Sequence, residues 1–516
     1  MSRNTIRVQY SGLIIFVAQM LSAITGLIFI LLLTRSMSKA QYGVWSNILD
    51  LSGYFLFLSG MFPFWATRFI ARGNEGSAKT GFYANILVSL ASIVIFVPLL
   101  PLLMSKFNVS GTYLMVYVLA SAYIVAIYLI TILEAVLRVE KPHATGYGLL
   151  IEEICKISLA YLLIVQFQFF GPINQFFGAM ISLIVATFIQ IVYYLRLVLK
   201  DLRQRIQWSY VREWLKGSVG YIYNSVGVQI AGFIFILLFI YGGEAARGDY
   251  QAAATFAGIV GYSSALAFAL YPKLLTEDSL KEVTSSLRTV LMFAIPMAAV
   301  AMSMSKSLLT VLKGSYADSW FVLFLLAIDA IIVLLSSFYT SVVLGIEKLD
   351  QGAKIPLNQF VRSKMFKVFT LPYVQAAIAL PAGFYVLTQL AAGNPLQAAI
   401  YVTIINMGAH IAAFLFVYLT TLGSVTIVVP WRNIGKFVFA SAIMVTVLYL
   451  LPHPTTIIPT LGTVVLGGAI YAALLLAIDR EARMFVNSIW EEIKKSWEQF
   501  LARARSLRRR GNFVKP

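Results

Sequence analysis

The 516-residue sequence has very few of the side chains that carry metal and nucleophilic chemistry. Cysteine occurs once, as Cys155, and histidine three times, as His143, His410 and His453. A single thiol excludes a disulfide framework and a cysteine metal site, and the histidines lie in separate segments without metal-ligand spacing. Glycine-rich phosphate loops, nucleophile elbows and large outer loops are absent as well. The sequence therefore predicts a protein that is not an enzyme, holds no metal and needs no cofactor.

Charge is also scarce. Charged residues form 12% of the chain and apolar residues 59%, whereas soluble domains contain about 25% charged residues. Apolar runs of about 20 residues recur, which is the length that a helix needs to cross the hydrocarbon with its backbone groups satisfied internally. These features predict an all-α polytopic membrane protein. The first run is too long for a signal-peptide core and lacks a small-residue cleavage site, so we expect it to remain as a span.

About fourteen transmembrane helices are predicted, and their flanking charges orient them. With a cytoplasmic N-terminus, 33 of the 40 lysines and arginines lie on inner segments and six on outer ones, as the positive-inside rule requires. This asymmetry predicts a multi-pass protein of the cell membrane with both termini in the cytoplasm. The net charge of +18 then reflects topology and attraction to anionic lipid, and no nucleic-acid partner is implied. The predicted spans are residues 11–33, 44–63, 82–105, 113–137, 146–169, 175–198, 219–241, 250–272, 289–312, 320–345, 367–389, 396–420, 433–451 and 457–479, and the outer cations are Arg35, Lys39, Lys106, Arg247, Lys306 and Lys313.

An internal repeat relates the two halves of the chain. The string from Gly26 to Leu33 returns 206 residues later, and the string from Val136 to Lys141 returns 207 residues later. Six spans separate the copies, an even number, so the repeats are parallel and related by an axis along the membrane normal. The expected domains are an N-terminal six-helix bundle at 1–198, a cytoplasmic amphipathic linker at 199–218, a second six-helix bundle at 219–420, helices 13 and 14 at 421–479, and a basic amphipathic tail at 480–516.

Apolar residues recur at helical spacing in the basic linker and in the basic tail. Such a pattern is typical of helices that lie in the membrane interface. The alternative interpretation is a docking site for partner enzymes. The linker stripe consists of Leu202, Ile206, Tyr210 and Trp214, and the tail stripe of Phe485, Ile489, Ile493, Trp497 and Phe500.

Polar and small residues recur on the first span of each repeat. Side chains three or four positions apart share one helix face, and polar residues in membranes usually face the bundle interior. They are interpreted either as the lining of a cavity or as interhelical hydrogen bonds and close-packing positions. The residues are Gln19, Ser22 and Gly26 on span 1, and Asn224, Ser225, Gln229 and Gly232 on span 7, with Asn47 on span 2 as a further cavity candidate.

Two acids within the predicted spans have a basic residue four positions later. Glu134 precedes Arg138, and Glu152 precedes Lys156, which is the favourable orientation for an ion pair on one helix. The pairs are interpreted as structural self-neutralisation or as a rearranging cytoplasmic gate.

Two further acids, Asp50 and Asp329, have no partner within their own helices. Intramembrane acids of this kind are functional candidates, and either could bind a coupling cation or proton. The alternative is an interhelical ion pair, in which Asp50 would meet Arg35 across a loop.

Several short strings near the span ends give the sequence a family resemblance. They are Leu33-Thr-Arg35 running into Gln41-Tyr-Gly-Val-Trp45, then Arg68-Phe-Ile-Ala-Arg72, Tyr271-Pro-Lys-Leu274 and Gly314-Ser-Tyr-Ala317. Together with two six-helix repeats and two extra spans, they resemble the polysaccharide-biosynthesis flippases of the O-antigen type. These form part of the fourteen-helix branch of the multidrug/oligosaccharidyl-lipid/polysaccharide exporter superfamily, and the resemblance covers nearly the whole chain.

The resemblance implies a V-shaped pair of bundles around a central cavity. It implies alternating access that moves a polyprenyl-(di)phosphate-linked oligosaccharide from the cytoplasmic to the outer leaflet for cell-surface polysaccharide or glycan synthesis, and a groove for the lipid tail on spans 13 and 14. Glycosyltransferases or a polymerase of the same pathway would be partners. The alternative is a cation-coupled multidrug or small-molecule antiporter of the same superfamily, and a polytopic glycosyltransferase or polymerase is less favoured. The expected head-group residues are Arg68, Lys273, Gln19, Asn47, Asn224, Gln229, Arg35 and Arg72.

Among these residues, Arg68 and Lys273 are the strongest candidates. Arg68 closes span 2 and Lys273 closes span 8, an offset of 205 that agrees with the repeat. Two opposed cations in a partly dehydrated cleft can accept a diphosphate, arginine as a bidentate fork and lysine as a mobile point charge. The alternative is that both residues only mark the cytoplasmic ends of their spans.

Overall fold

The chain folds into α-helices joined by short turns. The computed structural model describes residues 21–22, 24–167, 171–267, 280–346, 357–422, 428–484 and 486–487, and no β-strand occurs among them. The helices are α1 (Ile24–Ser36), α2 (Lys39–Leu56), α3 (Met61–Ala71), α4 (Ser77–Lys106), α5 (Leu114–Glu140), α6 (Pro142–Ala160), α7 (Asn174–Val198), α8 (Trp208–Gly217), α9 (Val219–Leu237), α10 (Glu244–Gly261), α11 (Leu280–Ser303), α12 (Ser305–Leu312), α13 (Trp320–Ile346), α14 (Leu357–Arg362), α15 (Lys364–Phe369), α16 (Leu371–Gln389), α17 (Pro395–Leu422), α18 (Trp431–Leu450) and α19 (Ile457–Ile478).

Ten helices within the described ranges are long and apolar enough to cross a membrane, or eleven when the pair α2 and α3, bent by 53°, is taken as one span. The protein is therefore a multi-pass membrane protein. Helices overlap all fourteen predicted spans, but α6 and α10 each carry three charged residues, and α1 is described only in part. The exact count of fourteen stays a prediction, because charge within a span lowers its hydropathy below that of an ordinary lipid-facing helix.

We call the helices from α1 to α7 the N bundle and those from α9 to α17 the C bundle. In the N bundle, α5 packs against α4 and α7, and α6 packs against α7; in the C bundle, α17 packs against α13 and α16, and α9 against α16. Helix α18 packs against α11, and α19 packs against α18. The two bundles meet chiefly where α2 packs against α10, so the equivalent helices of the two repeats form the contact between them.

The linker between the bundles is fastened to the N bundle by its aromatic stripe. Trp214 on α8 is fully buried and lies against Phe69, with ring centroids 5.4 Å apart. The indole Nε1 of Trp65 donates to the hydroxyl of Ser218 at 2.9 Å, just after α8. The apolar stripe predicted for a membrane interface therefore packs on the protein, while Trp208 on the same helix stays exposed.

The Glu-Lys pair that ends the repeated string attaches the end of α5 to the neighbouring helix α7. The Nζ of Lys141 donates to the carbonyl of Leu197 near the end of α7 at 2.9 Å, a site where a cation also compensates the helix dipole. Glu140, at the same helix end, lies near Asp201 of the linker. The equivalent Glu347 and Lys348 lie outside the described residues.

Candidate functional site

Helices α2 and α10 cross so closely that each needs glycine at the contact. A methyl group added to Gly43 would overlap the carbonyl oxygen of Glu244, and one added to Gly248 would overlap the carbonyl oxygen of Lys39. Gly43 and Gly248 are 205 residues apart, as are Lys39 and Glu244. The two overlaps are therefore the same contact seen from the two repeats, and the pseudo-twofold axis of the duplication passes through this crossing.

Two ion pairs join the bundles beside the glycines. Arg247 grips Asp50 with two parallel bonds, Nε to Oδ2 at 2.8 Å and Nη2 to Oδ1 at 2.9 Å. Lys39 lies 2.7 Å from Asp249, which also accepts a hydrogen bond from Ser319 at 2.7 Å. The side chain of Arg247 is 4% exposed and that of Asp249 is 3% exposed, so water screens these pairs little.

Two further cations reach across at the same end of the molecule. Arg35 donates from Nη2 to the carbonyl of Val311 at 2.9 Å, and Lys313 donates from Nζ to the carbonyl of Met37 at 2.7 Å. In the predicted topology this end faces outward. The structure represents a conformation in which the bundles are closed against each other at this end, which we call the outer end after the predicted topology. The expected meeting of Asp50 with Arg35 is replaced by the pair with Arg247.

A line of polar side chains continues from this contact into the C bundle. The ring of Tyr250, on α10, lies 5.8 Å from the guanidinium carbon of Arg247. Asp329, on α13, is paired with His410, on α17, through Nδ1 and Oδ1 at 2.8 Å. The two acids left without partners on their own helices thus both form interhelical pairs. Helix α10, which carries Arg247, packs against α13 and α17, which carry Asp329 and His410.

The N bundle holds a second cluster of buried charge. Lys156 lies 2.8 Å from Glu153 and 3.4 Å from Glu152. The hydroxyls of Ser22 and Thr25, which precede or begin α1, each donate to Glu153 at 2.6 Å. The predicted pair of Glu152 with Lys156 therefore exists, but the better-bonded acid is Glu153, which the sequence analysis did not single out. Two carboxylates share one lysine in a site from which water is largely excluded.

The expected self-neutralising pair on α5 is looser. Among the ion pairs of the described residues, none of 4.0 Å or less joins Glu134 to Arg138, although the two charges interact. These residues stay gate candidates on the basis of sequence alone.

The expected head-group residues occupy different environments. Arg68 stacks on Phe64 of its own helix, 3.6 Å from the ring centroid, and Arg72 is exposed at the end of α3. Asn47 is fully buried and accepts a hydrogen bond from Tyr117 at 2.6 Å, so it lies inside the N bundle in this conformation. Gln229 faces α2, where the Tyr54 hydroxyl donates to its backbone carbonyl at 3.1 Å, and Arg35 joins the outer contact. Gln19 and Lys273 lie outside the described residues.

Two of the cavities among the described helices are large enough to hold a ligand. One, of about 500 Å³, is apolar and lies between α10, α11, α18 and α19, with Leu27 of α1 at its edge. The other, of about 390 Å³, lies within the C bundle between α9, α13, α15, α16 and α17, and Asn224 and His410 line it. Asn224 is thus the one expected head-group residue that faces a described cavity in this conformation.

The sequence analysis missed Arg247, Asp249, Glu153 and His410 as parts of polar sites. Arg247 carried a signal, because a cation on the outer side runs against the positive-inside rule and needs another reason. Four of the six outer cations, Arg35, Lys39, Arg247 and Lys313, reach across between the bundles. The sequence contained no such signal for His410, because the partner of a lone imidazole in an apolar segment becomes evident only when the helices are assembled.

The sequence matches a known protein family, and the fold is similar to those of known transporters. The family model described as polysaccharide biosynthesis protein matches residues 10–276. The fold is similar to that of lipid II flippase MurJ in an inward closed conformation, with a TM-score of 0.67, 16% identity, and coverage of 91% of this chain and 99% of that chain. It is also similar to an inward-facing multidrug resistance MATE family transporter of the MOP superfamily, with a TM-score of 0.55, 14% identity, and coverage of 78% and 96%. None of the curated protein sequences compared with the chain matches it.

Proposed function

Because the chain belongs to the polysaccharide biosynthesis protein family, we propose that it is a flippase for a polyprenyl-(di)phosphate-linked oligosaccharide. It moves this lipid from the cytoplasmic to the outer leaflet by alternating access, within the cell membrane and with both termini in the cytoplasm. Unpaired charge is very costly to bury in hydrocarbon, so such a head group crosses only through a polar path within protein. The step breaks no covalent bond, so the protein acts as a transporter.

The observation that carries this proposal is the closed contact between α2 and α10. A contact made by equivalent helices, with glycines in place of side chains and four cations that span it, is well suited to open and close as a unit. Since the closed end faces outward in the predicted topology, access in this conformation is from the cytoplasmic side, where the lipid-linked substrate is made. Opening at α2 and α10 would release it to the outer leaflet.

The apolar cavity of about 500 Å³ supports a path for the lipid tail. Helices α18 and α19, which lie outside the predicted repeats, supply Met444, Leu461, Val464, Gly468 and Tyr471 to its wall, and α11 supplies the opposite side. A long hydrocarbon tail remains in an apolar environment at this position while its head group passes through protein. We therefore propose that α18 and α19 hold the polyprenyl chain.

Filling this cavity is expected to slow transport. A methyl group added at Gly468 meets nothing within 4 Å, so a side chain can be introduced there, and the ring of Gly468→Phe is expected to occupy space available to the tail. We expect transport of a polyprenyl-linked sugar to fall about tenfold, as for the loss of about 1.4 kcal/mol of binding. Gly462→Phe on the same helix is the control, because Gly462 is exposed and does not line the cavity. Equal transport by both variants would show that the tail does not bind in this cavity.

We further propose that Arg68 and Lys273 receive the diphosphate at the cytoplasmic side. Arg68→Gln and Lys273→Gln are each expected to reduce transport strongly with membrane insertion unchanged, and Arg68→Lys to give an intermediate rate, because lysine cannot form a bidentate fork. The measurement is the transport rate per inserted protein in liposomes. Near-normal transport by the double Gln variant would leave both residues with a topological role alone.

The buried acids are proposed to couple transport to an ion. Asp329 paired with His410 and Glu153 paired with Lys156 are ionisable groups inside the two bundles, and ionisable groups within a membrane are candidates for binding a coupling ion or a proton. Helix α10, which carries Arg247 of the ion pair at the outer end, packs against α13 and α17, which carry Asp329 and His410. Asp50, Glu134, Arg138 and Glu152 remain candidates for the same task.

Reconstitution in liposomes tests the proposed function directly. A fluorescent undecaprenyl diphosphate sugar is placed in the membrane, and the fraction that an external reagent can reach is followed with and without an imposed pH or sodium gradient. Protein-dependent exposure supports a flippase, and its dependence on one gradient identifies the coupling ion. If the lipid stays inaccessible while the same vesicles expel a cationic drug, the alternative of a cation-coupled multidrug antiporter replaces the proposal.

A further inference from the structure

The cavity within the C bundle has a polar wall that the contact between the bundles does not explain. It encloses about 390 Å³ and is bounded by the cytoplasmic half of α13, the beginning of α16 and the middle of α17 in the predicted topology. Ligand sites for small molecules have volumes of about 300–1,000 Å³. The polar residues that line it are Asn224, Ser336, Ser337, Thr340, Gln375 and His410.

The hydrogen-bonding capacity of this wall is largely unused. Elsewhere in the described helices, a serine or threonine usually donates to the carbonyl one turn earlier, as Ser341 does at 2.9 Å and Thr403 at 2.8 Å. Among the described contacts, the side chains of five of the six lining residues form no hydrogen bond to protein, and His410 is the exception. Polar groups within a membrane bundle need partners, so these amides and hydroxyls are available to water or to a polar ligand.

The chemistry of the wall selects a neutral ligand rich in hydroxyl groups. The cavity is lined by no lysine, arginine, aspartate or glutamate among the described residues, which disfavours a charged guest. Amides and hydroxyls both donate and accept, as the hydroxyls of a sugar also do. The aromatic ring of Phe369 adds an apolar surface against which the C–H face of a sugar ring can pack.

We propose that this cavity, which we call the C-bundle cavity, binds the neutral sugar units of the lipid-linked head group. The inference rests on the proposed flippase function and assigns it a sugar-binding subsite inside one bundle, away from the contact between the bundles. Lys364 and Lys367 on α15 lie in the turn before Val368 and Phe369, which line the cavity. They add positive potential on the cytoplasmic side, where Arg68 and Lys273 are proposed to receive the diphosphate, while the sugars lie within the cavity. The uncharged wall recognises the glycan, and the cations recognise the phosphates.

The test compares two lipids that differ only in the sugar. One is undecaprenyl diphosphate that carries a neutral disaccharide, and the other is undecaprenyl diphosphate without sugar. Dissociation constants are measured for the full chain in nanodiscs. We expect wild-type protein to bind the disaccharide lipid more tightly. Gln375→Leu and Asn224→Leu each remove hydrogen bonds at nearly constant volume, and each should weaken binding of that lipid about tenfold while binding of the sugar-free lipid is unchanged.

A second pair of variants keeps the test independent of folding. Ser336→Ala combined with Thr340→Val removes two hydroxyls with little change in shape and should give the same selective loss. Ser341→Ala is the matched control on α13, because its hydroxyl already donates to its own helix and does not line the cavity. Thermal unfolding of each variant verifies the fold.

Three results would overturn the subsite. Equal affinity of wild-type protein for the two lipids removes sugar recognition, and an equal loss for both lipids in the variants assigns the residues a structural role. Unchanged affinities with an altered pH dependence of transport would make the cavity a hydrated route to His410. These results leave the flippase function standing if wild-type liposomes expose the disaccharide lipid. Failure of wild-type protein to transport either lipid would instead refute the function itself.

Discussion

Gly43→Ala and Gly248→Ala are each expected to reduce transport about tenfold to a hundredfold, because either methyl group prevents the bundles from closing at the outer end. The added carbon would overlap a backbone carbonyl of the opposing helix, and backbone cannot turn aside as a flexible side chain can. Overpacking of this kind costs about 1–3 kcal/mol, and each 1.4 kcal/mol changes an equilibrium tenfold. The cost falls on the closed state alone, so the protein should accumulate with its outer end open.

The open state can be measured without a substrate. In a Cys155→Ser background, a cysteine at Met37, which is fully buried beside the outer contact, should be inert to a membrane-impermeant maleimide. It should react rapidly once Gly43→Ala or Gly248→Ala is added. Gly26→Ala and Gly232→Ala are the controls on the equivalent first spans, because an added methyl group there meets nothing within 4 Å. If Gly43→Ala and Gly248→Ala both transport at the wild-type rate, α2 and α10 need not approach this closely during the cycle.

The second large effect is expected from the ion pair of Asp50 and Arg247. Arg247→Gln leaves a carboxylate in a largely dehydrated interface without its cation, and Asp50→Asn leaves the guanidinium without its anion. Removing one partner of a buried pair costs about 3–5 kcal/mol, which predicts a loss of transport of about a hundredfold or more. Arg247→Lys should also be defective, because the two parallel bonds require the guanidinium fork.

The double variant distinguishes a gate from a binding site. In Asp50→Asn with Arg247→Gln, two neutral amides replace the charges and no uncompensated charge remains, so transport should recover to within about tenfold of wild type. Lys306→Gln is the control for the loss of an outer cation, because Lys306 is exposed. If the double variant is as inactive as either single variant, the charges serve the substrate or the coupling ion directly, and the closing role of the pair is wrong.

The sequence contained the repeat but not the contact that the repeat makes. Offsets of 206 and 207 in two strings predicted parallel copies, and the crossing of α2 and α10 follows the related offset of 205 through Gly43 and Gly248. The sequence analysis singled out Gly26 and Gly232 as close-packing positions, yet both have open space in this conformation. Glycine at a packed position and glycine at an open one look identical in a sequence, because the difference lies in the opposing backbone.

For the charged residues, too, the sequence predicted some features and not others. The sequence left two interpretations of Asp50 and Asp329, a site for a coupling ion or an interhelical ion pair. The structure shows interhelical pairs, with Arg247 and His410 as the partners. The identity of the partners was not predictable: Arg247 lies 197 positions after Asp50. Choosing Arg35 instead followed from proximity along the chain, which is a poor guide between helices of different bundles.

By itself, the sequence determined that this protein is an all-α membrane protein, that it is built from two parallel copies, and that it belongs to the polysaccharide biosynthesis protein family. Those properties follow from hydropathy, periodicity and local strings, each of which depends on residues near one another in the chain. Only the tertiary structure decided which helices meet, which cations close the outer end, and where amides and hydroxyls are left without partners. Such features depend on pairs of residues tens or hundreds of positions apart, and packing alone brings them together.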